Sequence, residues 1–205
     1  MTMTALFVFA LVAQTPAPGV SEYFPLNPGD AWVYEDSGAG GDAVTTDTVH
    51  DPIEIKGIKV FPVVSTTDEK EAGRVYYRLG EGEVTIVAFK KSEPLSKPYA
   101  IVKTPDMGNW HYQGETFMLG APMDLILDGK VKSAGTVEFD GKKVEAIEVR
   151  LEARIMEEFG TPWTVTQVAI YGKGIGLIRM DSTTKLPRKT LKVTRKLIAY
   201  KPKAK

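Results

Sequence analysis

The stretch from Ile147 to Ile155, IEVRLEARI, constrains the fold of this chain more than any other. Ile147, Val149, Leu151, Ala153 and Ile155 alternate with Glu148, Arg150, Glu152 and Arg154. In a strand this places every apolar side chain on one face and every charge on the other. Glu, Arg, Leu and Ala are good helix formers, but a helix would stack Glu148 on Glu152 and Arg150 on Arg154 as like-charge pairs one turn apart. A strand avoids both repulsions, and its wet and dry faces are those of an antiparallel sheet packed on one side.

The rest of the chain past residue 22 repeats this theme as short apolar or alternating runs broken by turn residues. Lys56-Gly57 and Gly80-Glu81-Gly82 each separate two strand-like runs and read as hairpins. Asp128-Gly129 and Asp140-Gly141 carry the strongest short-range hairpin signal, because both central positions of a tight turn need positive φ, and both pairs are predicted to be turn tips. Further strands are predicted at Ala31–Asp36, Ala43–His50, Tyr99–Lys103, Thr164–Tyr171, Gly176–Ser182 and Thr190–Tyr200. The total is about ten to twelve strands, with connections short enough for an antiparallel meander. Helix is expected only as short turns, at Thr67–Ala72 and within APMDLIL, which begins at Ala121.

At 205 residues the chain suits one domain, and 26 basic against 26 acidic residues leave no net charge to attract nucleic acid. The charge is uneven, since Ser182 to Lys205 holds nine Lys or Arg and no Asp or Glu. Lysines clustered on a terminal strand discourage edge-to-edge association, and that is the reading adopted. An apolar run from Ala5 to Ala13 has the length of a signal-peptide core and is too short to span a bilayer. The expected layout is a signal peptide at 1–13, a flexible proline-containing segment at 14–21, one β domain at 22–200 and a basic tail at 201–205. Export to the periplasm or outside the cell follows, with no transmembrane span once the signal is removed. The absence of cysteine excludes disulfides, thiol catalysis, cysteine-based zinc sites and a lipid-modified cysteine.

Motifs for chemistry are sparse. The glycines of YGKGIGLIRMD follow a strand but lead into another strand rather than a helix N-terminus, so they do not make a phosphate loop. His50 and His111 have no histidine partner at metal-ligand spacing, and no hydrolase or metalloprotease signature occurs. No catalytic residue, metal or cofactor is therefore assigned; His111, which could pair with Glu115, is the first suspect if the protein is an enzyme after all.

Aromatic residues supply the remaining lead. Trp32 and Tyr34 share one face of the first strand, and Trp110 and Tyr112 flank His111 on another. Arg195 shares a strand face with Leu191, Val193, Leu197 and Ala199. Either a bulge near Arg195-Lys196 swings the guanidinium to solvent, the favoured reading, or Arg195 points inward and needs a carboxylate or anionic ligand. Trp32, Tyr34, Trp110, Tyr112 and Arg195 are the ligand-binding candidates. In the stretch YFPLNPGDAWVY, Pro25 and Pro28 hold the chain extended and Asn27 to Asp30 form a turn that starts the first strand.

That opening stretch, the late YGKGIGLIRMD and the middle TPDMGNWHYQGE together resemble a broad set of exported bacterial β-meander proteins of unassigned role. Their architecture is similar to the periplasmic lipoprotein-carrier half-barrels, in which a curved antiparallel sheet shelters an apolar cavity. The resemblance implies a mainly all-β fold, a strongly curved sheet or half-barrel. It also implies a non-catalytic binding or envelope-associated role with a lipid or other apolar or amphipathic ligand. A hydrolase with a carboxylate or histidine site and a structural or protein-docking domain are the alternatives.

Overall fold

The structure, a computed structural model, describes residues 19–118, 121–156 and 161–203. The expected signal peptide and most of the proline-containing segment lie outside the described residues. The described residues open with a single helical turn, α1 (Val20–Tyr23). Strands β1 (Ala31–Gly38) and β2 (Ala43–Val49) follow, then β3 (Ile53–Ile55) and β4 (Ile58–Thr67), then β5 (Lys70–Leu79), β6 (Glu83–Lys90) and β7 (Glu93–Lys103). A 3-10 turn at Pro105–Met107 leads to β8 (Asn109–Met118), β9 (Ala121–Phe139), β10 (Lys142–Met156), β11 (Trp163–Gly172), β12 (Gly176–Lys185) and β13 (Thr190–Lys201).

All pairings are antiparallel, in the order β7-β6-β5-β4-β2-β1-β13-β12-β11-β10-β9-β8, with β3 laid against β4. The meander is as expected, and the first and last strands pair in the middle of the sheet, Trp32 opposite Tyr200 and Asp36 opposite Arg195. The curvature goes beyond a half-barrel to a nearly closed, barrel-like sheet. Bulges supply part of the bend. An extra residue sits at Ala72 against β4, at Val87 against β5, at Ala134 against β10, at Ile178 against β11 and at Ile198 against β1.

The two end strands, β7 and β8, meet without a backbone ladder among the described residues. Side chains close the seam instead. The Trp110 indole Nε1–H donates to the Ala100 carbonyl (3.1 Å), the Tyr112 hydroxyl donates to the Lys97 carbonyl (2.9 Å), and the Tyr99 and Thr116 hydroxyls bond each other (3.0 Å).

Of the two Asp-Gly turn expectations, one holds and one fails. Asp140-Gly141 is the β9–β10 turn, with both residues at positive φ. Asp128-Gly129, however, lies inside β9, paired to β8 and β10. Gly129 is needed there for space rather than for turning: a Cβ would lie 2.0 Å from the Trp110 ring, which packs over the bare backbone. The helical turns expected at Thr67–Ala72 and in APMDLIL are also strand territory. The first is the β4–β5 turn through Asp68 and Glu69, both at positive φ, and the second is the start of β9.

The sheet is filled from inside by one large apolar cluster around Val84, Val102, Leu127, Ile147, Val149 and Tyr171, and a second around Leu26, Trp32, Tyr34 and Leu197. Outside β4–β6, the β3–β4 hairpin buries a smaller cluster of Ile55, Val60, Tyr76, Val87 and Ala88. The N-terminal segment acts as a plug. Val20 and Tyr23 of α1 are buried, and Phe24 packs 5.3 Å from the Tyr77 ring and 5.9 Å from Tyr171. Packed structure thus includes Val20, two residues ahead of the expected domain start.

After the plug, Asn27 to Asp30 form the expected turn, closed by the Asp30 amide on the Asn27 carbonyl with Gly29 at positive φ. Asp30 is buried and latches both ends of the chain. Its carboxylate accepts from the Asn27 side-chain amide, the Tyr200 hydroxyl and the Lys203 backbone amide. The tail is tied down at least as far as Lys203.

Candidate functional site

The barrel interior is not completely filled. A cavity of about 440 Å³ remains, within the range of small-molecule sites. Six of the aromatic residues scattered along the sequence converge on it: Trp32, Tyr34, Tyr77, Phe89, Tyr99 and Phe117. Phe24 of the plug and Tyr171 of β11 join them, with Ile86, Leu125, Leu127, Leu151 and Met180 among the aliphatic lining. The cavity is reached by strict inward alternation: Leu151, Ala153 and Ile155 of β10 line it, while Arg150 and Glu152 are exposed and pair on the outer face.

Of the candidate residues, the structure brings Trp32, Tyr34 and Arg195 to the cavity wall and places Trp110 and Tyr112 at the β7–β8 seam, outside the lining set. Trp32 is further fixed by its indole N–H on the Ile175 carbonyl and by stacking on Tyr200 at 5.8 Å. His111 is exposed and pairs across strands with Asp128 at 2.8 Å, while Glu115 accepts from Ser96, so the His111–Glu115 pair is not formed.

Arg195 corrects the favoured sequence reading. A bulge does exist in β13, but it falls at Ile198, where it leaves Arg195 and Leu197 facing inward and turns Tyr200 inward as well. The extra residue, Ile198, is the one left exposed. The guanidinium makes a two-pronged pair with Asp36, Nε–H to Oδ1 at 2.7 Å and Nη2–H to Oδ2 at 2.8 Å, and reaches Asp47 through Nη1 at 3.2 Å. It lies over the Tyr34 ring, 4.9 Å from the centroid. Thr45 also donates to Asp36, and Ser65 donates to Asp47 at 2.6 Å.

The two carboxylates feel this arrangement differently. Burial works to raise the Asp36 carboxyl, but hydrogen bonds from Arg195 and Thr45 outweigh it and hold the group below its ordinary value. At Asp47 burial wins over the Arg195 charge and the Ser65 bond, and the carboxyl is raised. Burial also pushes Tyr34, Tyr77 and Tyr171 upward and Tyr99 up to about 12, so these phenols are neutral around the cavity.

Asp36, Asp47, Phe24 and Tyr171 were not singled out from sequence. For the two aspartates a signal existed: Asp36 shares the parity of Trp32 and Tyr34, and Asp47 that of Thr45 and Val49. An inward Arg195 would have required such partners. Among the described residues no group of three or more histidines and carboxylates is placed to hold a metal, and no helix is long and apolar enough to cross a membrane. Among the described residues, the large exposed apolar ones, Val44, Met107 and Ile198, stand on separate elements.

No family model and no curated protein matches the chain. Among solved structures, the fold is similar to that of a candidate lipoprotein from Parabacteroides distasonis, with a TM-score of 0.57 at 15% identity over 87% of this chain and 98% of the other. A candidate exported protein with a YmcC-like fold from Bacteroides fragilis aligns over 88% of this chain and 99% of its own, at 13% identity. Its TM-score of 0.45 is too low to carry an argument. The first likeness establishes a shared barrel-like β fold, reached by a very different sequence.

Proposed function

We propose that this protein is an exported, non-catalytic binding module that shelters an apolar or amphipathic molecule inside its barrel. The observation that carries this reading is the aromatic-lined cavity of about 440 Å³, left open in an interior that side chains normally fill. Export is supported by the Ala5–Ala13 run and by the lipoprotein description of the fold neighbour from Parabacteroides distasonis. Protein purified from its own host, under native mass spectrometry and after solvent extraction, is expected to carry a co-purifying apolar molecule. A uniformly unliganded mass, with no uptake of added amphiphiles, would defeat the reading.

One observation favours a second reading, an acid–base enzyme: Asp36 and Asp47 are shifted in opposite directions beside a single cavity. Both are committed to Arg195, and the lining residues include neither serine nor histidine. Turnover of ester or glycoside substrates that disappears in Asp47→Asn would favour this reading over simple binding.

A further inference from the structure

The binding reading leaves open which end of an amphiphile the polar wall recognises, and charge counting narrows the choice. Among the described residues, Asp47 and Arg195 are the charged members of the cavity lining. Behind them stands Asp36, so the cluster holds two carboxylates to one guanidinium. All three side chains are mostly buried, exposed by 22% for Arg195, 16% for Asp36 and 15% for Asp47. Arg179, a nearby cation on β12, does not restore the balance: it pairs with Asp181 on the opposite face of the sheet. The wall therefore carries an excess negative charge in a poorly hydrated place, which the raised Asp47 carboxyl reflects.

The hydrogen-bonding capacity is also unspent. Asp47 receives one bond on each oxygen, from Ser65 and from Arg195, where a carboxylate can accept about four. Both Asp36 oxygens are occupied by Arg195, one of them also by Thr45. Tyr34, Tyr77 and Tyr171 line the same space, and their hydroxyls make no hydrogen bond to the described residues. Tyr34 and Tyr171 are 3% and 4% exposed.

We propose that the cavity selects amphiphiles with a cationic, N–H-donating head, an amine rather than a carboxylate, seated against Asp47 with its apolar chain among the aromatic residues below. An ammonium group neutralises the excess carboxylate and donates to its spare lone pairs, and the surrounding aromatic faces favour a cation further. A carboxylate head meets a net negative wall, and the guanidinium that would receive it is already engaged three times.

The test rests on the binding reading and separates the two claims. Dodecylamine, dodecanol and dodecanoate compete for the cavity against a neutral fluorescent probe, N-phenyl-1-naphthylamine, near neutral pH. Dodecylamine is expected to bind at least about tenfold more tightly than dodecanoate, and Asp47→Asn is expected to remove that preference. Equal binding of the three, or tighter dodecanoate, overturns the inference and leaves the binding reading intact. Failure of all three, and of the probe, overturns both. The wild-type order of head groups decides the matter even if the variant does not fold.

Discussion

Replacing Arg195 by methionine keeps the volume of the side chain and removes the charge that Asp36 and Asp47 share. Two mostly buried carboxylates are then unpaired, and stability is expected to fall by about 3 kcal/mol, the lower end for a broken buried pair because the cluster borders a cavity. The sign of the pH effect follows from the same loss. Without the guanidinium, burial raises both carboxyls in the folded state above their unfolded values, so the ionised forms oppose folding. The deficit is expected to be largest at neutral pH and to shrink as pH falls through the raised carboxyl range. Urea unfolding of wild type and variant at neutral and mildly acidic pH checks this; a deficit independent of pH would contradict it.

Gly129 offers a second residue-scale test. Alanine there puts a methyl carbon into the Trp110 ring, and since ring and backbone are both held by hydrogen bonds, a loss of about 2 kcal/mol is expected. Urea melts followed by tryptophan emission report both the stability and the ring's displacement. The same residue shows why dipeptide signals are ambiguous. Asp128-Gly129 and Asp140-Gly141 are alike in local chemistry, yet one turns the chain and the other runs straight beneath an indole supplied by another strand. Local propensity sees the backbone freedom of glycine and not the ring that requires its missing side chain.

At the scale of elements, the alternation in Ile147–Ile155 was legible because a buried face and a wet face impose period two directly on the sequence. The bulge in β13 was harder to place. An extra residue changes the parity of everything after it, and Ile198 has the look of an ordinary strand residue. Partner register decides its position, through Tyr34 opposite Leu197 and Val33 opposite Ala199. The seam is likewise a property of pairing. Because β7 and β8 are held by side chains rather than by a ladder, their seam-facing amides are expected to exchange with deuterated solvent faster than those of β9 and β10, paired continuously from Lys142 to Met156. Mass-spectrometric hydrogen exchange resolves these segments, and equal protection across the two pairs would show that the seam is laddered in solution.

For the whole molecule, an occupied cavity should announce itself thermally. A ligand at about one hundred times its dissociation constant stabilises the native state by about 2.7 kcal/mol. For a domain of this size that corresponds to a rise in Tm of about 5–10 °C. Thermal melts with and without dodecylamine measure it, and an unchanged Tm at saturating ligand would argue against occupancy of the native barrel.

By itself the sequence determined the strand-rich meander, the turns at Asn27–Asp30 and Asp140-Gly141, the shared face of Trp32 and Tyr34, and the absence of cysteine chemistry. These depend on period, turn geometry or composition, which are local. Only the tertiary structure decided that the sheet closes, that Phe24 plugs it, and that Trp110 and Tyr112 serve the seam while Asp36 and Asp47 meet Arg195. The seam contacts span 10 to 15 positions, and the charged cluster joins residues far apart in the chain, Asp36 and Arg195 by 159 positions. No local rule fixes such a meeting; it follows from the register of β1 against β13, two strands at opposite ends of the sequence order.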